Sequence, residues 1–126
     1  MDNNIIAEKT LNFAVRIVKL QKYLAVEKSE YTLSKQLLRC GTSIGANVAE
    51  AQRGQSTPDF AAKMCVALKE ANETEYWLHL LYRTDYLTQV QYESILTDLQ
   101  EILRLLTSIC KKPTPFNFQS LALPTP

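Results

Sequence analysis

Proline is confined to one internal position and to the C-terminal end of this chain. Of the five prolines, Pro58 stands alone in the middle, and the other four follow residue 112. Proline breaks a helix interior because it lacks a backbone donor and clashes with the preceding turn. Residues 1–57 and 59–112 are therefore free to form long helices. Glycine, the other residue that weakens helices, occurs only three times in 126 residues. The sequence predicts an all-helical chain.

Apolar residues recur at helical spacing in four segments, at about residues 4–27, 31–52, 58–83 and 89–110. The third segment has the clearest heptad row, with alternating steps of four and three: Phe60, Met64, Ala67, Ala71, Thr74, Leu78 and Leu81. The first has a similar row: Ile6, Thr10, Phe13, Ile17, Leu20 and Leu24. Predicted N-terminal caps are Ser29 for the second helix, Ser56 for the third, and Thr88 with Gln91 for the fourth.

Short predicted connections between four long helices favour an antiparallel up-down-up-down four-helix bundle. We expect this all-α bundle to occupy residues 1–112 as one domain. Residues 113–126 form a proline-rich C-terminal tail, which also carries Phe116, Phe118, Leu121 and Leu123. The pattern leaves open whether this tail docks on the bundle or stays disordered.

The composition excludes several classes of protein. The net charge is only +1, so no strong overall field attracts nucleic acid or acidic membranes. No apolar run approaches the ~18 residues of a membrane span, and residues 1–4 do not resemble a secretory leader. We therefore expect a cytoplasmic protein without membrane contact. Cys40, Cys65 and Cys110 are odd in number and widely spaced, which favours buried free thiols over disulfides or zinc ligands.

Few residues are available for catalysis. The single histidine, His79, lies within the third predicted helix and cannot form the paired Glu-x-x-His sites of di-iron bundles. Glu70, Glu73 and Glu75 form an acidic cluster, but ion pairs with Arg39, Arg53 or Lys35 of the second helix are the favoured use of these carboxylates. We expect no enzyme activity, cofactor, metal or small-molecule substrate. The rival hypothesis is a hydrolytic or metal-dependent enzyme that uses the acidic cluster and His79.

Two glycines interrupt the second predicted helix. Gly41 and Gly45 form a G-x-x-x-G, and each costs roughly 1 kcal/mol relative to alanine in a helix interior. Close approach of a neighbouring helix offsets this cost, and a kink is the alternative. We expect the glycines to face the third helix, whose row narrows to Ala67, Ala71 and Thr74. The predicted helix-packing motif contains Gly41, Ser43, Gly45, Asn47 and Glu50.

Positive charge is concentrated in the first third of the chain. Residues 9–39 contain seven basic and two acidic residues. A basic stripe of this kind can contact phosphates, and a solvated polar face is the plainer interpretation. The candidate nucleic-acid contacts, to RNA or DNA, are Arg16, Lys19, Lys22, Lys35 and Arg39.

The first predicted helix is apolar over roughly 220°, more than the roughly 100° stripe that packing on one side requires. Three apolar residues of this helix lie outside the face assigned to the core: Leu11, Val15 and Val18. Together with Tyr76 and Trp77 of the third helix they predict one contiguous exposed patch, which is unusual for a soluble monomer. We expect this patch to be the interface of a homo-oligomer.

The second helix carries the most specific motif in the chain. Residues 39–51 follow the pattern R-x-x-x-S-I-x-x-N-[IV]-x-E-[AG], and residues 59–60, 63, 67–71 and 73–78 continue it. In these residues the chain resembles the four-helix bundle proteins encoded by intervening sequences within bacterial 23S ribosomal RNA genes. It is also similar to accessory variability proteins of diversity-generating retroelements.

This resemblance has implications beyond the fold. It implies assembly into a homopentameric barrel and does not imply an enzyme. The expected function is that of a non-enzymatic, ring-forming protein with a binding or scaffolding role. The alternative that the resemblance implies is an accessory protein that binds nucleic acid and a reverse transcriptase.

Overall fold

The computed structural model describes residues 3–110. Four helices follow one another: α1 (Asn3–Lys28), α2 (Thr32–Ala51), α3 (Thr57–Arg83) and α4 (Gln89–Cys110). No strand is present among these residues, so the predicted all-helical architecture is confirmed for this part of the chain. The tail, residues 113–126, lies outside the described residues.

The helices form a square in chain order. Each helix packs against the next, and α1 closes the square against α4, whereas the backbones of the diagonal helices α1 and α3 do not approach each other closely within the described residues. The connections are only three to five residues long (29–31, 52–56 and 84–88), so consecutive helices run antiparallel. This is the predicted up-down-up-down four-helix bundle.

The core contains the residues that the heptad rows predict. In α3 the row from Met64 to Leu81 is buried, and only Phe60 at its start is partly exposed. In α1 the row is buried from Ile6 to Leu24, and Leu20 is half-buried. The helical period thus identifies the inner face of both helices.

The glycines of α2 pack against α1, so the prediction that they face α3 is wrong. A Cβ atom on Gly41 would lie 2.8 Å from Cγ1 of Ile17, and one on Gly45 would lie 3.2 Å from the carbonyl oxygen of Thr10. Arg39, which contacts α3, precedes Gly41 by two residues and so points about 200° away around the helix. The glycines are therefore on the opposite flank, and α2 continues unbroken through both.

Helix α2 begins with a carboxylate cap, and the prediction of Ser29 as its N-cap is wrong. Ser29 has a positive φ of 53° and lies in the turn before the helix. The buried Glu30 carboxylate instead accepts hydrogen bonds from the backbone N–H groups of Thr32 (3.2 Å), Leu33 (3.0 Å) and Ser34 (2.7 Å). A carboxylate in this position also interacts favourably with the helix dipole.

The other two predicted caps are confirmed. The Ser56 hydroxyl accepts a hydrogen bond from the backbone N–H of Asp59 at 3.2 Å, with Pro58 in the first turn of α3. Thr88 and Gln91 form a reciprocal capping box, with bonds of 2.9 and 3.1 Å. These caps satisfy helix-terminal donors that would otherwise need water.

Replacing Gly45 with leucine is expected to lower the free energy of unfolding by about 1–3 kcal/mol. The reason is that the backbone of Thr10, which cannot move aside as a side chain tip can, occupies the space the new side chain needs. Ala46→Leu is the matched control, since Ala46 is exposed and surface changes usually stay within about 0.5 kcal/mol. Urea denaturation measures both. Equal stability of the two variants would contradict close packing of α1 on α2.

Candidate functional site

Arg16, one of the five candidate nucleic-acid contacts, is engaged inside the protomer. Its guanidinium lies 2.6 Å from the Asp98 carboxylate and donates hydrogen bonds to the Ser94 hydroxyl (2.9 Å) and the Ser94 carbonyl (3.2 Å). Lys9, two turns earlier in α1, reaches Glu101 at 3.0 Å. These side chains bridge α1 and α4, so Arg16 stabilises the bundle and its charge is already compensated.

Arg39 is also paired within the protomer, as the sequence predicts. Its guanidinium bonds the Glu73 carboxylate and lies 3.5 Å from Oε1 of Glu70, both on α3. Oε1 of Glu70 is buried and accepts no hydrogen bond. The 3.5 Å contact is thus an electrostatic attraction without hydrogen-bond alignment. Lys63 and Glu50, 3.4 Å apart, add a second ion pair between the same helices.

Three of the five candidate cations remain. Lys19 and Lys22 of α1 and Lys35 of α2 are exposed and form no ion pair with the described residues. The predicted basic stripe is therefore reduced to three lysines.

Two polar side chains of the predicted helix-packing motif are satisfied within α2, and Glu50 pairs with Lys63 of α3. The Ser43 hydroxyl donates to the carbonyl of Arg39 at 2.6 Å, and the Asn47 amide donates to the carbonyl of Ser43 at 2.8 Å. Side chains that bond the preceding turn in this way are common in helices and leave no free nucleophile. The motif is structural in this fold.

The acidic cluster does not form one site. Glu70 and Glu73 lie on the flank of α3 that contacts Arg39 of α2. Glu75 is buried about 200° further around from Glu73. His79, one turn beyond Glu75, lies with its Nδ1 3.4 Å from the Tyr92 hydroxyl of α4. The residues of the rival enzyme hypothesis are thus divided between two flanks of α3.

Two titratable groups of the core, Cys40 and Tyr92, favour their neutral forms. Burial raises the pKa of the Cys40 thiol to about 11, and the nearby Glu73 carboxylate adds to this shift, which a Thr74 hydrogen bond partly offsets. Burial, followed by the Glu75 charge, raises the pKa of Tyr92 to about 12. Cys65 and Cys110 are half-buried free thiols. A protonated, buried Cys40 is a poor nucleophile.

Two cavities among the described residues show no catalytic arrangement of side chains. An open cavity of about 530 Å³ at the α2–α3 turn has no titratable side chain in its lining, which consists of Ala51, Gln52, Gly54, Gln55, Ser56, Thr57 and Phe60. A cavity of about 140 Å³ between α1 and α4 contains the ion-paired Lys9, Asp98 and Glu101. Within residues 3–110, no group of three or more histidine, cysteine or acidic side chains is arranged to hold a metal ion.

The predicted apolar patch is divided into two separate surfaces. The first, called the α1 face, consists of Leu11, Val15 and Val18, which are 64%, 47% and 36% exposed. Tyr76 lies on α3, 40% exposed, in edge contact with the half-buried Trp77. The prediction of one contiguous patch is wrong, because α1 and α3 are diagonal in the square and α2 and α4 separate their outward surfaces.

The second surface is called the α3 face and is longer than predicted. Val66 and Tyr76 are exposed apolar residues, and Lys69 and Glu73 lie between them at steps of three and four. Trp77 borders this row and donates a hydrogen bond from its indole N–H to Glu73 at 3.1 Å. The sequence pattern does not predict Val66 as part of an apolar surface, because two charged residues interrupt its row. The protomer therefore presents two apolar faces on opposite sides.

The chain matches the family model described as 23S rRNA-intervening sequence protein over residues 2–108. It belongs to this family. A crystal structure of a protein with unknown function from the S23 ribosomal protein family of Bacteroides thetaiotaomicron VPI-5482 is similar in sequence and fold. That protein is 58% identical, with a TM-score of 0.86, and the match covers 89% of this chain and 100% of the other.

No curated protein matches this chain significantly. No helix among residues 3–110 of the intervening-sequence protein is long and apolar enough to cross a membrane. The two apolar faces and the three lysines are the features on which a functional explanation can be built.

The pKa of His79 is expected to lie below 6.5, because burial and then the Arg83 charge disfavour the imidazolium. Between that pKa and pH 6.5, the unfolded chain then binds more protons at His79 than the folded chain does. Stability is accordingly highest above pH 6.5 and falls as the pH drops through this window. His79→Gln should flatten this part of a urea-denaturation pH series, and an NMR titration of His79 gives its pKa directly. A midpoint at or above 6.5 would contradict the buried placement of this ring.

Proposed function

We propose that this intervening-sequence protein is a non-enzymatic binding or scaffolding protein that works as a closed ring of identical four-helix bundles. The observation that carries this proposal is the pair of exposed apolar faces on opposite sides of the protomer. Exposed apolar surface of this extent is costly in water and is typical of interaction sites. Burial against other copies removes it, and closed cyclic symmetry is the usual result. The number five is taken from the family resemblance.

Three observations support a non-enzymatic role. The acidic residues are divided between two flanks of α3, the buried Cys40 thiol is protonated at neutral pH, and the 530 Å³ cavity has no titratable lining. An active site needs a nucleophile or base, an orienting group and a charge stabiliser within reach of one substrate atom. The three free thiols also fit a reducing, cytoplasmic environment.

A second candidate function is nucleic-acid binding, alone or with a reverse transcriptase as partner. Lys19, Lys22 and Lys35 favour it, since they are exposed cations that form no ion pair within residues 3–110. In a ring, each lysine is repeated once per copy, so that a modest local charge becomes an extended basic surface.

Light scattering of the purified protein is expected to give a mass well above the 14.3 kDa of one chain, and about 72 kDa for five copies. Val18→Lys is expected to dissociate this assembly, because it places a charge within the α1 face. Val90→Lys is the matched control, since Val90 is 78% exposed on α4, away from both faces. A wild-type mass of 14.3 kDa would contradict the ring, and a dimer or tetramer would contradict the number five. An assembled but less stable Val18→Lys protein would place Val18 in the core.

Binding of structured RNA is expected to weaken steeply with salt, since neutralised phosphates release counterions. Replacing Lys19 or Lys35 with alanine should reduce the slope of log affinity against log salt by about one each. Arg104→Ala serves as the control, because Arg104 is exposed on α4, outside the predicted stripe. A flat salt dependence, or no binding at about 50 mM salt, would leave only a protein partner.

A further inference from the structure

We propose that the α1 face of one copy packs against the α3 face of the next copy, so that the interface is heterologous and each protomer uses both faces. This inference rests on the proposed ring and specifies how it is built. A twofold contact of one face with itself would leave the other face exposed on both protomers. A single heterologous contact, repeated around a ring, covers both.

The two faces run in the same direction. In an up-down-up-down bundle the first and third helices are parallel, and α1 and α3 begin at the same end of the square. Neighbours in a closed ring are related by rotation without translation along the symmetry axis. If the bundles stand along that axis, residues at the same height on α1 and α3 meet across the interface.

The exposed rows then match in height. Leu11 lies eight residues after the first residue of α1, and Val66 lies nine residues after the first residue of α3. Lys22, one turn beyond Val18 in the same row, and Tyr76 both lie nineteen residues from the starts of their helices. The stretch from Leu11 to Lys22 and the stretch from Val66 to Tyr76 therefore lie at nearly equal heights and extend about 15–17 Å, at 1.5 Å per residue, and the α1 row continues to the 75% exposed Val26. This register places Leu11 near Val66 and Lys22 near Tyr76.

Side-chain chemistry supports the same register. Lys22 has no ion-pair partner among the described residues, and Lys19 lies beside it. Around Tyr76, Glu70 and Glu73 pair with Arg39 of α2, and the exposed Lys69 lies one turn before Glu73, so acidic and basic side chains are equal in number there. An ammonium group that approaches this corner meets the Glu73 carboxylate and the aromatic rings of Tyr76 and Trp77. The occupant of the α3 face is thus the α1 face of a second copy, with Lys22 at the Tyr76 end.

The proposal is tested by mixing two variants that each lose one face. Val15→Asp damages the α1 face and Tyr76→Asp damages the α3 face, both at exposed positions. Each variant alone is expected to be a folded monomer. Their equimolar mixture is expected to form a 1:1 heterodimer of about 29 kDa, two chains of 14.3 kDa, and nothing larger. The heterodimer joins the intact α1 face of Tyr76→Asp to the intact α3 face of Val15→Asp.

The possible outcomes separate this proposal from the ring itself. A wild-type monomer overturns the ring. An assembled wild type whose variants each form homodimers overturns the heterologous pairing alone, as does a mixture that stays monomeric or a variant that still assembles fully. Circular dichroism of each variant checks folding, and Val90→Asp is expected to assemble like the wild type, because Val90 is exposed outside both faces.

The register has its own test. A Lys22→Cys, Tyr76→Cys double variant treated with a short bismaleimide is expected to give covalent multimers up to the size of the assembly. Either single variant should give only the background of the native cysteines. A double variant no more cross-linked than the single variants would overturn the register of Lys22 beside Tyr76.

Discussion

The close contact of α1 with α2 at Gly41 and Gly45 sets the rotation of α2, and much of the structure follows from that rotation. Backbone and β-branched atoms of α1 occupy the space where side chains would otherwise lie on this flank. With the glycines turned towards α1, Arg39 is necessarily turned towards α3, where it holds Glu70 and Glu73. Glu73 in turn accepts a hydrogen bond from Trp77, whose ring contacts Tyr76. The glycine pair and the α3 face are thus connected through three consecutive contacts.

The α1–α4 side of the square is held differently from the α1–α2 side. Here long polar side chains connect the helices, with Lys9 on Glu101 and Arg16 on Asp98 and Ser94, above a cavity of about 140 Å³. Partly exposed ion pairs contribute little stability, so the small residues of the α1–α2 contact fix the position of α1 more firmly. The outward direction of Leu11, Val15 and Val18 follows from that position.

The sequence predicts the fold well because its strongest signal is periodic. The heptad rows identify the inner face of each helix, and Ser56 and the Thr88–Gln91 pair mark two helix starts by ordinary capping chemistry. The sequence pattern does not predict Glu30 as the cap of α2, because glutamate is not among the residues preferred as N-caps. Its role depends on the turn at Ser29, with φ of 53°, which directs the carboxylate to three backbone donors.

The wrong expectations about Gly41, Gly45 and the apolar patch have one common cause. A period fixes which residues flank the core, but not which neighbouring helix lies on which flank, since an up-down-up-down bundle can turn to the left or to the right. Small residues occur on the inner faces of both α1 and α3, so side-chain volume alone does not show which of these helices packs against the glycines of α2. Likewise, two leftover apolar surfaces form one patch only if their helices are adjacent, and α1 and α3 are diagonal.

The two proposed functions make competing use of the same lysines. In the heterologous ring Lys22 is covered by the neighbouring copy, and Lys19 lies at the rim of that contact, whereas Lys35 of α2 is outside it. A ring that binds RNA therefore relies mainly on Lys35 and Lys19, while Arg16 and Arg39 remain compensated by acids of their own protomer. Since the whole chain carries a net charge of only +1, attraction of phosphates depends on local repetition of these few cations around the ring rather than on total charge. Under these two proposals nucleic-acid binding depends on assembly, and a variant that stays monomeric is expected to lose both.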